Sequence, residues 1–127
     1  MCEIITDSTY GHQPDVWARA KQEAIRVIVC RASTLSYSDL ATRIRSITFD
    51  PHDRSFHHLL GQISVEEDAA GRGMLSALVV HKDDGMPGEG FFDLAQTLGR
   101  DVSDKIRCWS QETLVVLNHC PNHPLAA

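Results

Sequence analysis

The chain has 127 residues, 43% of them hydrophobic and 23% charged, with eight glycines and five prolines; this is the make-up of one globular domain with its own core, and it excludes disordered, collagenous and coiled-coil architectures. Apolar runs such as Ala77–Val80 and Leu114–Leu117 are four residues long, against the roughly 18 that cross a bilayer, and the start Met1–Asp7 lacks the basic and apolar regions of a secretion signal, so a cytoplasmic protein is expected. The formal charge of −5 arises entirely after residue 60: seven bases balance seven acids up to that point, and five bases face ten acids beyond it.

Residues 1–13 read as a polar lead, 14–119 as the domain and 120–127 as a tail. Pro14 stands where a first helical position is expected and Asp15 suits a helix N-terminus. Trp17, Ala20, Ala24, Val27 and Ile28 recur at helical spacing, which predicts an amphipathic helix over 14–32. Ser36-Tyr37-Ser38-Asp39 has the form of a capping box with Asp in the Glu position, flanked by the staple pair Leu35 and Leu40. It predicts a helix over 37–47 with Tyr37, Leu40, Ala41, Ile44 and Ile47 inward, broken by Asp50-Pro51-His52-Asp53. Ser55 is the expected cap of a third helix over 55–64, whose apolar stripe is Phe56, Leu59, Leu60 and Ile63. A second capping box, Ser64-Val65-Glu66-Glu67, predicts a separate turn to Ala70, ended by Gly71.

Met74–His81 reads as a strand; with the turn signal Asp84-Gly85 and a short return segment over Met86–Gly90 it makes a hairpin. Phe91, Leu94, Ala95 and Leu98 predict a helix ending at Gly99. Ser103 or Asp101 caps a last helix that carries Val102, Ile106, Trp109, Thr113 and Leu117 and stops before Pro121. Trp17 and Trp109 are expected to pack between the first and last helices. Cys2, Cys30, Cys108 and Cys120 form no Cys-x-x-Cys pair and are expected as free thiols, with Cys30 and Cys108 buried. His119-Cys120-Pro121-Asn122-His123 holds zinc-type ligands but fits no finger spacing, and reads as a fraying tail.

The expected fold is mainly α with a small β-hairpin, a winged-helix-like single domain, because three helices followed by a hairpin is the order of a winged helix. Leu35-Ser36-Tyr37-Ser38-Asp39-Leu40-Ala41, Leu59-Leu60-Gly61-Gln62-Ile63 and a strand ending in Lys82-Asp83-Asp84-Gly85 resemble the winged-helix half of the alkylguanine-DNA alkyltransferases and alkyltransferase-like proteins, over about residues 34–92. The resemblance implies a third helix in a DNA groove and a wing, 74–91, on the backbone. That family carries its reactive cysteine in a Pro-Cys-His-Arg run between helix and wing. This chain has no cysteine between Cys30 and Cys108 and places Gly71–Ser76 there, so alkyl transfer is excluded and non-catalytic DNA binding is what the resemblance leaves.

The leading expectation is therefore nucleic-acid binding to duplex DNA, with helix 55–64 as the reading element. His57, His58 and Gln62 are expected on its exposed face, and Arg43, Arg45, Arg54, Arg72 and Lys82 on phosphate. The alternative is a protein-interaction or oligomerisation module that docks a protein or a second copy through Phe91 and Phe92. A second alternative is a small hydrolase or nuclease built around His57, His58 or His81; the acid-x-Lys spacing of a metal nuclease fails, since Val80 stands two before Lys82. His57 and His58 diverge by about 100° on a helix and do not aim at one metal. The glycine-rich loop 84–90 is open to two readings, a structural turn or a cradle for an anion at the helix that follows. No P-loop, nucleophile elbow, His-Glu-x-x-His or dinucleotide fingerprint is present, so no catalytic residue, cofactor, metal or membrane contact is expected.

Overall fold

The computed structural model describes residues 9–126; most of the predicted N-terminal lead, with Cys2, lies outside the described residues. The elements are α1 (Pro14–Arg31), β1 (Leu35–Ser36), α2 (Tyr37–Arg43), α3 (Arg54–Ala69), a 3-10 turn (Leu75–Leu78), β2 (Val79–Val80), α4 (Glu89–Thr97), α5 (Lys105–His119) and a closing 3-10 turn (Cys120–Asn122). The domain is thus mainly helical, with a small parallel sheet in which Leu35 faces Val79 and Ser36 faces Val80. No helix of the described residues is long and apolar enough to cross a membrane.

The predicted hairpin is not formed. Strand Met74–His81 is reduced to its last residues, its partner is β1 rather than a return segment, and the pairing is parallel. After β2 the chain closes a tight loop, with Gly85 N–H donating to the His81 carbonyl and His81 N–H to that of Met86, each at 2.9 Å, and α4 then begins at Glu89, two residues before the predicted start. The physical reason lies in burial on all sides. Every residue from Gly73 to Val80 is buried, and the segment lies between two apolar clusters. Leu75, Leu78 and Val79 join the larger one, built on Trp17, Ala24, Ile28, Leu40, Phe56 and Ile63, while Met74 and Ala77 join a smaller one with Phe91, Phe92, Leu94, Ala95 and Cys108. Side chains take the place of ladder bonds: Ser64 Oγ accepts from Ser76 N–H at 3.0 Å, Glu112 Oε2 from Met74 N–H at 2.8 Å, and the Ala77 carbonyl from Trp109 Nε1–H at 2.8 Å.

The same bonds explain other departures. Ser64 does not cap a new turn, because α3 runs unbroken through it and its hydroxyl is spent on Ser76. Ser36 does cap α2, accepting from Asp39 N–H at 3.0 Å, but the helix ends at Arg43, short of the predicted 47. Glu23 of α1 accepts from the backbone of Arg45 and Ser46 and from the Ser46 hydroxyl, which holds this stretch extended while Ile44, Ile47 and Phe49 still enter the core. Asp53 precedes α3 and Asp104 caps α5, in place of Ser55 and of Ser103 or Asp101. Trp17 and Trp109 belong to different clusters rather than to one α1–α5 interface. Cys30, Cys108 and Cys120 are free thiols, and Cys30 is exposed where burial was expected.

The tail is packed, not frayed. Cys120 and His123 are buried; His123 Nδ1 accepts from Leu125 N–H, so its proton sits on Nε2, which donates to Glu67 Oε1 at 2.7 Å. Glu67 also receives a two-pronged bond from Arg72, 2.9 Å on each arm. Burial pushes the Glu67 carboxyl up, but the Arg72 and His123 hydrogen bonds outweigh it and hold the group below the usual carboxylate range. Arg100 bridges Asp68 and Glu112 at 2.6 and 3.0 Å and is held firmly charged.

A carboxyl held low in the fold contributes stability above its unfolded value of 4.5 and loses it as the pH falls through the lower folded value. Chemical-denaturation midpoints are therefore expected to fall progressively below about pH 4.5, and Glu67→Gln to flatten that fall while costing roughly 2–3 kcal/mol at neutral pH, since it leaves Arg72 half-buried and unpaired. Gly73 sits at φ +87°, and a Cβ there would stand 2.9 Å from Val115 Cγ1 and 3.1 Å from Glu112 Oε2. Gly73→Ala is expected to cost about 2 kcal/mol or more in a urea titration through strain and overpacking together.

Candidate functional site

The capped start of α2 places Tyr37, buried and at the first helical position, under the loop that leads to α4. Its hydroxyl accepts from Gly88 N–H at 2.9 Å. Burial pushes this phenol up, the Gly88 bond opposes that, and the charge of Asp84 adds to the rise. Two imidazoles pack on the ring: His57 of α3 at 5.2 Å between centroids and His81, just after β2, at 4.7 Å. A Cβ on Gly88 would meet His81 Nε2 at 3.2 Å and the Tyr37 hydroxyl at 3.5 Å, so the glycine lets the loop approach both.

Tyr37 and His57 stand in the wall of a cleft of about 370 Å³ between α3 and the start of α4, with Tyr10, Arg54 and His58 in the same wall and Gly88, Gly90 and Phe91 below. Tyr37 and His52 are shared with an adjoining hollow that contains His81 and Lys82. His57 and His58 diverge, as neighbours on a helix must: His57 lies on Tyr37, while His58 packs on Tyr10 at 5.1 Å and Trp17 at 6.3 Å. Among the described residues no group of three His, Cys, Asp or Glu could hold a metal ion, the His119–His123 stretch included.

Hydrogen-bond logic assigns the ring protons. His57 Nε2 lies 2.9 Å from the Pro51 carbonyl, which only accepts, so Nε2 carries the proton and the neutral ring has its lone pair on Nδ1. Trp17 Nε1–H donates to Gln62 Oε1 at 2.7 Å, which turns the amide nitrogen toward His58 Nε2 at 3.1 Å; His58 accepts there, and its neutral form carries the proton on Nδ1. The two adjacent histidines therefore hold opposite tautomers. Burial pushes the His57 pKa down, the Pro51 carbonyl opposes this, and the nearby charges of His81 and His52 lower it further, so the ring titrates below the ordinary histidine range.

Of the residues expected on nucleic acid, Arg54, His57 and His58 share the cleft and Lys82 the adjoining hollow. Gln62, expected on the exposed face of α3, is buried at 5% exposure with its amide fixed by Trp17, and so is unavailable to read bases. Arg72 is paired with Glu67 rather than presented to solvent. Arg43 and Arg45 are exposed but line neither cavity. Phe91 and Phe92, expected as a docking patch, are buried in the smaller cluster, Phe91 flooring the cleft and Phe92 under Lys105 Nζ at 5.4 Å from the ring centre. Tyr10, Tyr37 and His52 escaped the sequence reading: Tyr37 reads as one more apolar position of a helix, and only its pairing with a glycine fifty residues on makes it a site residue. Comparison with family models, with curated proteins and with solved structures finds no match for this chain.

Replacing Tyr37 by Phe leaves the Gly88 N–H without its acceptor and frees the loop over His81. A loss of about 1 kcal/mol in thermal or urea denaturation is expected, with changed backbone NMR chemical shifts confined to the Gly88 loop and the start of α4.

Proposed function

We propose that this chain binds single-stranded nucleic acid in the cleft between α3 and the start of α4. The observation that carries this reading is the meeting of flat rings and positive charge in one cavity: Tyr10, His57 and His58 offer faces on which a base stacks, and Arg54 stands in the same wall. Lys82 stands in the adjoining hollow, which His52, His81 and Asp83 also line. The cleft falls within the roughly 300–1,000 Å³ of small-ligand sites, a size that takes an unstacked nucleotide and not a duplex. The duplex-reading winged-helix form of this proposal, with α3 in a DNA groove, relies on a wing over 74–91; that stretch runs as a 3-10 turn, a two-residue strand, a loop and the beginning of α4, which favours the single strand.

With Arg54 and Lys82 as the phosphate contacts, log Kd for a labelled mixed-sequence single strand is expected to change with log salt by a slope of roughly 1 to 2. Affinity is expected to drop about tenfold in Arg54→Ala, some 1.4 kcal/mol, and to stay within about twofold in Arg43→Ala, which lies outside the cleft. Absence of binding at low salt, where electrostatic attraction is greatest, overturns the proposal; tighter binding of duplex than of single strand favours the winged-helix form.

A second reading, docking of a protein or a second copy, is favoured by one observation. α5 exposes Ile106 at 67% and Leu114 at 63%, an apolar face that replaces Phe91 and Phe92 as the candidate patch. Sedimentation of the wild type and of Leu114→Glu distinguishes it: a dimer that dissociates in the variant supports this reading, and a monomer in both removes self-association.

A further inference from the structure

The lining of the cleft divides by exposure. Arg54 and His57 are exposed, whereas Leu60, Phe91 and Leu94 are buried and apolar. Ser76 lines the same cleft and is itself buried, at 9% exposure. Its hydroxyl stands 2.6 Å from that of Ser64, and Ser64 Oγ, fully enclosed, already accepts from Ser76 N–H at 3.0 Å. Two hydroxyls hold two protons, and the bond between them uses one. The enclosed Ser64 has no other acceptor among the described residues, so it donates to Ser76. The Ser76 proton is then left without an acceptor among the described residues, at the one member of the pair that borders the cleft. A buried donor in this condition is completed by whatever enters the cavity.

We propose that Ser76 makes the cleft selective for bases that carry an oxo group at the tip opposite the sugar, uracil, thymine, guanine and hypoxanthine, over adenine and cytosine. The proposal rests on the single-strand reading above and deepens it by naming the class of base. Guanine and thymine present a carbonyl acceptor where adenine and cytosine present an amino donor. A carbonyl oxygen takes the spare Ser76 proton as the base displaces water. An amino group brings only protons: the Ser76 oxygen receives one on its remaining lone pair, and the hydroxyl proton stays buried near Leu60, Phe91 and Leu94, with the ring-nitrogen acceptor set back behind the amino tip. Leaving that donor unpaired costs about tenfold in affinity, the means by which a site built to bond one group rejects an analogue that lacks it. The stacking rings and Arg54 act on the flat face and the phosphate that every nucleotide has, so selectivity is separable from affinity.

The test uses the full chain and four labelled DNA strands of one length at low salt and neutral pH, made of deoxyuridine, deoxycytidine, deoxyinosine and deoxyadenosine. Uracil differs from cytosine, and hypoxanthine from adenine, by oxo against amino at the tip and by the ring proton that goes with it, so ring size is constant within each pair. The expected result is a Kd about tenfold lower for the oxo member of each pair. In Ser76→Ala both ratios are expected to fall to about twofold or less, through weaker binding of the oxo strands alone; unchanged binding of the amino strands shows that the variant is folded. Ser76→Cys, whose thiol is a weak donor, is expected to lie between wild type and Ser76→Ala, and it carries the comparison where the alanine variant does not fold. Equal binding within each pair by the wild type, a preference for the amino strands, or a ratio that survives in both Ser76 variants overturns the selectivity and leaves the single-strand reading standing. Absence of binding to all four strands overturns both.

Discussion

The structure depends on carrying an uninterrupted run of backbone, Gly73–Val80, through the middle of its apolar interior. Peptide N–H and C=O groups buried there cost free energy unless each finds a partner, and a two-residue strand pair supplies only a few. Others come from side chains on two other elements: Ser64 from α3, and Glu112 and Trp109 from α5. This arrangement obliges α3 to stay helical through Ser64 and α5 to stand where Glu112 reaches Met74. It also requires Arg100 to neutralise the buried carboxylate that does so. A conventional sheet would have met the same need with neighbouring strands; here the polar atoms of the surrounding helices do that work.

α3 is the element through which this interior and the cleft communicate. Its first turns carry Arg54, His57 and His58 outward, its middle packs Phe56, Leu59 and Ile63 inward, and its last turns bring Glu67 and Asp68 to the ion pairs that fasten the 71–73 turn, Arg100 and the chain end. Gln62 sits between the two regimes, joined to Trp17 in the core and to His58 in the wall. The histidines of the cleft are thus mounted on a rigid support, and their ring protons are set by groups that belong to the scaffold.

What could be read from the sequence follows from the range of the interactions involved. Local signals were legible: Pro14 opens α1, Ser36 caps α2 through Asp39, and the chain turns away after α4 at Gly99, as the residues there imply. Errors came where a distant side chain decided the local outcome. Ser64-Val65-Glu66-Glu67 is a sound capping box by composition, yet Ser76 and Arg72 compete successfully for its two polar ends. The run Met74–His81 has strand character and no neighbouring strand to use it. His57, His58 and Arg54 were recognisable as outward-facing residues, whereas Tyr37, His52 and Tyr10 join them only through tertiary packing that no spacing encodes. The tail was misread because Glu67, far back in the chain, is what captures His123.

The parallel pair β1–β2 joins residues on either side of α2 and α3, and it stands directly beside the cleft: Tyr37 follows one strand and His81 the other. Closing that long loop fixes the non-local geometry on which the cleft rests, so the cleft is complete only when the domain as a whole is folded. Anything that occupies it is then linked to the global folding equilibrium rather than to a local loop rearrangement. Each tenfold excess of ligand over its dissociation constant raises the stability of the entire domain by about 1.4 kcal/mol, and the site and the fold are lost together.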